Sequence, residues 1–479
     1  MLRSRAGAIR FALSVLVVLT TLVLCSGTAT AASSPTLILK PAVGPPTTNV
    51  LLAGSGFDPY STVAIYFDEV QVTQVTTNGA GDLVGSSIGG ALSVQVPASA
   101  VPGNHWFMAT EGNAGKTART QFMVRTDWPQ FHFDAGHSGF NPYENVLSPA
   151  NVGGLQLAWS YQTGGPVGSP VVANGVLYAG SANGNLYALN AATGALLWTL
   201  YGAGTPSVAN STAYVGCAKG MCALNAGTGA LLWSFPGAVT PPTVADGVVY
   251  FGCGLYVCAL NSNSGALLWQ YTNVEGISDL AVGNGDVYFG SRDPSNWDQG
   301  TFYMLDARTG ALLWSHVVGS GPYGGPGFST PAVGWSVCVN VSFSAEQQVY
   351  TDLFCMGEGV EASFNASASA PAVAYGMVYE GVSAYSYPGR HFPATLYAMG
   401  QWQYVPLGDS ISPQAIANGV VYFSDYSRLY ALNASTGALL WQSPAMGLGM
   451  PVVANGVVYA GSADGNVYAF SLTGGGSAE

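Results

Sequence analysis

The chain has 479 residues, enough for two or three domains, and is 49% hydrophobic but only 8% charged, which excludes a disordered polymer. Its formal net charge is −12 with only 12 Lys and Arg. No basic stripe exists, so a nucleic-acid partner is excluded, and the acidity serves solubility.

The first element reads as an export signal over residues 1–31. Arg3, Arg5 and Arg10 precede an apolar run from Phe11 to Leu24, followed by the small-residue site Ala29-Thr30-Ala31. The run is short for a membrane span and matches a secretory leader. The protein is therefore expected to be secreted or on the exterior of the cell envelope. Cys25 would be the point of lipid attachment, but Leu24 before it is bulky for that processing. No second long apolar run follows, so no span is expected in the mature chain.

Residues 32–126 show seven short alternating segments: Thr36–Lys40, Asn49–Ala53, Thr62–Phe67, Val70–Thr76, Ser93–Val96, His105–Thr110 and Arg119–Val124. Turn residues separate them, and the spacing predicts a small β-sandwich. The stretches GSGFDPYSTVAIYFD and PGNHWFMATEG resemble immunoglobulin-like domains of the IPT/TIG type, which implies a spacer or adhesive module. Residues 127–150, DWPQFHFDAGHSGFNPYENVLSPA, form an aromatic connector. His132 and His137 lie in it. They are read as part of a packed lead-in strand, and no metal site is expected.

From residue 151 the chain repeats. Gly-Ala-Leu-Leu-Trp recurs with its tryptophan at 198, 233, 269, 314 and 441. Units start at Pro170, Pro206, Pro242, Ser278, Pro331, Pro371, Pro413 and Pro451. Each reads as strand, Asn-Gly or Asp-Gly turn, strand, turn, strand, Asn-x-x-Thr-Gly turn, strand. Asn174-Gly175, Asp246-Gly247, Asn418-Gly419 and Asn455-Gly456 are the residues that tight hairpins need, because both positions require positive φ. Four antiparallel strands per unit make a propeller blade. The last unit lacks its fourth strand, and an orphan strand, Leu155–Tyr161 with Trp159, precedes the first. Joining them closes the ring. The expected fold is all-β: an eight-bladed propeller of four-stranded blades over 151–473 with shared-end closure, preceded by the sandwich and followed by a flexible tail, 474–479.

Six cysteines fall into local pairs, Cys217 with Cys222, Cys253 with Cys258 and Cys338 with Cys355. An even count in an exported chain favours three disulfides. The first two pairs flank short turns between neighbouring strands, and Cys338 sits less symmetrically in its repeat.

The repeat AxNGxVYxGSxxGxLYALNAxTGxLLW resembles that of the pyrroloquinoline-quinone-type propellers, over about 320 residues. That family includes quinoprotein alcohol and glucose dehydrogenases and non-catalytic relatives. The resemblance implies that Trp159, Trp198, Trp233, Trp269, Trp314 and Trp441 dock between blades. It also implies, for the enzymes, a quinone on the axis, a calcium or lanthanide ion, an Asp base, cations for the quinone carboxylates and a disulfide between adjacent cysteines. This chain has no adjacent Cys pair. Its propeller holds only Lys219, Arg292, Arg308, Arg390 and Arg428 as cations. No catalytic residue can be assigned, and no Walker loop, His-Glu-x-x-His or Gly-x-Ser-x-Gly occurs.

Irregular loops mark the expected site. Blade four inserts Arg292, Asp293, Trp297 and Asp298. Blade six carries Tyr385, Tyr387, Arg390, His391 and Phe392, and the connector between blades four and five holds Tyr323 and Phe328. Blade five also has a longer turn. Such loops on one face of a repeat array mark a binding face. The sequence therefore points first to an exported, monomeric, non-catalytic scaffold without cofactor, binding a protein, peptide or glycan on that rim. The alternatives are a dehydrogenase of alcohols or sugars that uses pyrroloquinoline quinone with calcium, and a structural cell-surface protein.

Overall fold

The computed structural model describes residues 34–85, 91–112, 115–272, 274, 276–293, 296–318, 327–345, 348–356, 361–387 and 390–472. The leader and the tail fall outside these residues.

Residues 36–124 form two sheets around one core. A three-stranded sheet joins Thr36–Lys40, Asn49–Ser55 and Leu92–Gln95, and a five-stranded sheet includes Thr62–Phe67, Val70–Thr76, Gly103–Glu111 and Thr117–Val124. Alternation sends Val63, Ile65 and Phe67 inward with Val50, Leu52, Phe107 and Phe122, as one-sided burial requires. The strand Val43–Gly44, parallel to Met123–Val124, is too short to leave a sequence pattern.

Eight sheets follow. The first comprises Val171–Ala173, Val176–Gly180, Asn185–Asn190 and Leu196–Tyr201, each antiparallel to the next. The innermost strands of the next six are Ser207–Ala209, Thr243–Ala245, Ala281–Gly283, Ala332–Val333, Ala372–Ala374 and Ala415–Ala417. The eighth takes Leu448–Ala454, Val457–Ser462 and Asn466–Leu472 from the end of the repeats and Leu155–Gln162 from before them. Closure by shared ends thus occurs as the repeat pattern implies.

All three cysteine pairs are bonded, but they are not equivalent. Cys217 bonds Cys222 and Cys253 bonds Cys258 across five residues each, closing the turn between the second and third strands of blades two and three. In neither pair do the two cysteines face each other in the ladder: Cys222 lies opposite Val215, and Cys258 lies opposite Phe251. Cys338 and Cys355 differ. They are direct partners on adjacent antiparallel strands of blade five, with Cα atoms 4.1 Å apart, so this bond staples the middle of a blade and not a turn. The long loop of that blade hides the register in the sequence, which is why the pair looks out of place among the repeats.

The repeat motif has a physical reason at the seams between blades. Asn190 Oδ1 accepts the backbone N–H groups of Ala192 and Thr193, which folds the Asn-x-x-Thr turn. Gly194 then sits at φ 71°, and a Cβ there would stand 2.6 Å from the indole of Trp159. Gly229 stands in the same relation to Trp198, at 2.9 Å. Glycine is required twice over, for the left-handed backbone and for the indole of the preceding blade. The indole N–H of Trp198 donates to the Ala226 carbonyl of the next blade at 3.0 Å, and the Tyr178 hydroxyl donates to that same oxygen at 2.9 Å. Trp233 with Tyr214, and Trp269 with Tyr250, repeat this lock on Ser262 and Ala307. Trp159 and Trp441 carry it across the closure, to Ala191 and Leu155. Trp402, in a blade without the pentapeptide, donates to Ala434; sequence reasoning passed over it. Trp314 packs in the seam between blades four and five.

Candidate functional site

The connector is not a lead-in strand. Residues 128–141 form a belt around the propeller axis that bonds to the innermost strand of every blade in turn. Trp128 exchanges backbone hydrogen bonds with Val172, and the carbonyl of Pro129 accepts from Val208 N–H. The Gln130 side chain holds both backbone groups of Val244. The carbonyls of Ala135, Gly136, Ser138 and Gly139 accept from Val282, Val333, Val373 and Ile416. Asn141 Nδ2 reaches the Val453 carbonyl at 3.0 Å. Innermost strands have one free backbone edge facing the axis, and the belt satisfies it.

Above the belt lies an axial cavity of 820 Å³. Trp128, Phe131, His132 and His137 belong to its floor, and Ser169, Thr205, Pro241, Asp279 and Met450 to its wall. Those wall residues stand at or next to the start of innermost strands. Gly204, Cys217 and Gly237, from blade connectors and a second-to-third-strand turn, line it farther out. The mouth therefore opens on the face of those turns and connectors, and the belt closes the other end. The Cys217–Cys222 bond pins one of the turns at this mouth. Cys258 and Cys355 are buried within their blades and do not line the cavity, so the other two disulfides are structural.

Two buried histidines lie in the floor. His132 Nδ1 lies 3.1 Å from the His137 carbonyl, to which it donates. Thr243 Oγ1 donates to the Leu280 carbonyl at 2.5 Å and so accepts from His137 Nε2, 3.1 Å away. Both tautomers are thereby fixed, leaving a bare lone pair on His132 Nε2 and on His137 Nδ1. Neither atom has a partner, nor does the Trp128 indole N–H. Burial holds both imidazoles neutral, His132 down to about 4 and His137, with His132 adding repulsion, down to about 3. Burial pushes the Asp279 carboxyl up, partly offset by the Thr330 hydroxyl, which donates to it at 3.4 Å.

The residues expected on the rim are only partly assembled. Arg292 and Asp293 end one strand of blade four, and Trp297 and Asp298 lie in the next, Asn296–Asp306. Phe328 packs against Gly290 of blade four. In blade six, Tyr385 stacks on Phe392 at 4.5 Å, and Ser386 Oγ lies 3.1 Å from His391 Nδ1, within a hairpin that includes Tyr387 and Arg390. That hairpin is a two-stranded sheet of its own, paired with itself and not with the blade-four loop. Tyr323 lies outside the described residues. The cavity, lined chiefly from the first three blades and the belt, had no sequence signal except the aromatic and histidine content of the connector.

Among the described residues, no three of His, Cys, Asp and Glu gather to hold a metal, and no helix is long and apolar enough to cross a membrane.

A family model described as outer membrane protein assembly factor BamB matches residues 200–390 and 390–477. A second, described as the β-propeller domain of glucose/ethanol/alcohol dehydrogenases, matches 128–204 and so begins at the first belt residue. The dehydrogenase subunit of alcohol dehydrogenase (quinone) from Gluconobacter oxydans (strain 621H) is 30% identical over 192 residues, 40% of this chain and 17% of that protein. The quinohemoprotein alcohol dehydrogenase of Comamonas testosteroni is 30% identical over 106 residues, 22% of this chain and 14% of that protein. The chain thus spans less than a fifth of either curated relative. The crystal structure of the Comamonas testosteroni enzyme superposes with a TM-score of 0.54 at 15% identity, covering 74% of this chain and 81% of that one. A quinohemoprotein alcohol dehydrogenase from Pseudomonas putida HK5 gives 0.55 at 15% identity with the same coverage. At such identity these structures carry the fold alone.

These relatives correct two expectations. A non-catalytic scaffold acting through the rim of blades four to six, and the absence of a cofactor, are both overturned by sequence relatives that are quinone-linked alcohol dehydrogenases. The physical reason is that thin cationic provision does not exclude redox chemistry, and that the axial cavity is a ligand-sized space invisible in the repeats. The two stretches matched by the first model make up more than half of the chain, and on that ground the protein belongs to the PQQ-like β-propeller repeat family.

Proposed function

We propose that this protein is an exported dehydrogenase that passes electrons from an alcohol or sugar to a quinone held in the axial cavity. One observation carries the reading: a blind axial cavity with a carboxyl in its wall, in a chain similar to quinone-linked alcohol dehydrogenases. The leader-like residues 1–31 support export. The sandwich, resembling immunoglobulin-like modules, is read as a spacer.

Pyrroloquinoline quinone itself fits only in part. Its fused rings suit the volume and the aromatic floor. Its three carboxylates do not suit the lining, which contains no Lys or Arg, because a buried carboxylate without a counter-charge is costly. The described residues also gather no three-residue His, Cys, Asp or Glu set for its metal.

A bound quinone would take up two electrons and two protons, the equivalent of the hydride and proton an alcohol gives up on becoming a carbonyl. The protein's own part would fall to groups of the lining. Asp279, a carboxyl among the lining residues whose proton affinity burial raises, would accept the alcohol's hydroxyl proton. Pro170, Pro206, Pro241 and Pro242 present no backbone N–H and help keep the wall apolar. The belt blocks water from the far end.

Alcohol- and sugar-dependent dye reduction by the purified protein, supplied with a panel of quinones, tests this. Asp279→Asn should lower kcat at least ~100-fold while leaving the affinity for an uncharged quinone within a few-fold. Equal turnover by the variant, or no turnover with any quinone, would sink the reading.

A further inference from the structure

We infer that the axial cavity selects an uncharged quinone and rejects the carboxylated one of its relatives. This rests on the proposed quinone site and names the ligand class it takes.

Charge is the first argument. Asp279 is the sole ionisable acid among the lining residues, and no cation accompanies it. His132 and His137 are held neutral at the floor. None of the propeller's cations lines the cavity, although Lys219 lies in the Cys217–Cys222 turn at its mouth. Arg428 donates to the Ser443 carbonyl at 3.2 Å. Lys219, Arg292, Arg308 and Arg390 are exposed and none lines the cavity. An anion inside the cavity therefore finds no counter-ion among the lining residues.

Hydrogen-bonding capacity is the second argument. The unpartnered Trp128 Nε1–H, His132 Nε2 and His137 Nδ1 are buried within the floor and do not open onto the cavity, so the belt's rings meet a ligand through apolar surface. All three side chains are at least nine-tenths buried. A carboxylate offers acceptors only and finds no Lys or Arg donor in the lining, so its lost hydration goes uncompensated, whereas an uncharged quinone gives up far less. The third argument is size. A cavity of ~150 Å³ already holds a benzene ring, so 820 Å³ takes a two-ring quinone together with a small alcohol.

The test is calorimetric titration of the full mature chain with two probes, 1,4-naphthoquinone and pyrroloquinoline quinone, the latter with and without calcium. Naphthoquinone should bind one-to-one, and pyrroloquinoline quinone at least ~100-fold more weakly. Asp279→Asn should narrow that gap, and Ser169→Lys should narrow it further by supplying the missing cation. Thr240→Lys serves in its place if Ser169→Lys does not fold, as judged by its melting curve. Pyrroloquinoline quinone binding as tightly as naphthoquinone to the unaltered protein would overturn the inference, as would failure of both to bind. Selective naphthoquinone binding without alcohol-driven reduction would leave the selectivity standing and remove the dehydrogenase reading instead.

Discussion

The two belt histidines make a quantitative prediction about acid. Each has its proton affinity depressed by burial in the fold, from an ordinary value of 6.5 to about 4 for His132 and about 3 for His137. A base depressed in this way stabilises the fold above its unfolded value, and the contribution is lost as pH falls from about 6.5 toward the folded values. At pH 4.5 the unfolded chain has taken up both protons and the folded chain almost neither. Two pH units at about 1.4 kcal/mol each, less the small uptake by the folded state, give about 2.5 kcal/mol per histidine and about 5 for the pair. Asp127, Asp134 and Asp279 are shifted upward by burial and act in the opposite sense, so the comparison must be against variants. His132→Asn and His137→Asn suit the purpose, because both sites have positive φ, 50° and 52°, which Asn tolerates. Urea unfolding at pH 7.5 and 4.5, followed by tryptophan fluorescence, should show each variant recovering about half of the acid loss that the double variant recovers. A double variant with the same acid loss as the unaltered chain would refute the assignment of buried neutral imidazoles.

Two further outcomes follow from the blade seams. Glu380 is fully buried between blades five and six, accepts from Asn340 Nδ2 at 3.0 Å, and has its proton affinity pushed well up by desolvation. A carboxyl raised in the fold stabilises fully below its unfolded value and loses that contribution as pH rises toward the folded one; Glu380→Gln should therefore melt with a flatter pH profile between 5 and 8, and an unchanged slope would count against a protonated Glu380. Gly229→Ala should cost about 2 kcal/mol or more through positive φ and contact with Trp198, Trp198→Phe about 1 through the lost hydrogen bond to Ala226, and the pair less than the sum; strict additivity in a denaturation cycle would show that the indole does not make the glycine necessary.

The ring, its closing seam and the cysteine pairing were legible because each repeat writes its own constraints locally. Asn174-Gly175 fixes a hairpin through its own φ angles, and the glycine of each Thr-Gly turn advertises the indole it must clear. Trp402 escaped because its blade replaces the long turn by Gly400-Gln401, removing the motif but not the indole's target. The belt was hidden for a different reason. Trp128, Gln130, Ala135 and Asn141 bond to strands as far as 312 residues away, and they do so largely through backbone groups, which every sequence possesses. Its aromatic residues have no period, because the segment packs on a curved inner surface rather than on one flat face. The cavity shares that invisibility: Ser169, Thr205, Pro241 and Asp279 converge only because the ring brings the same position of successive repeats to one axis.

The belt also works as a ruler. Fourteen residues visit eight strands in chain order, from Val172 to Val453, and the two ends bond to the innermost strands of the first and eighth blades. Repeat arrays gain and lose units readily by duplication and deletion, and a seam between like blades does not object to one more. Here an added blade would leave one innermost strand without a belt residue, and a lost blade would leave slack over the floor of the cavity. Change in blade number is therefore coupled to change in a segment that lies outside the repeats, and both would have to occur together. That coupling gives a repetitive chain a fixed length.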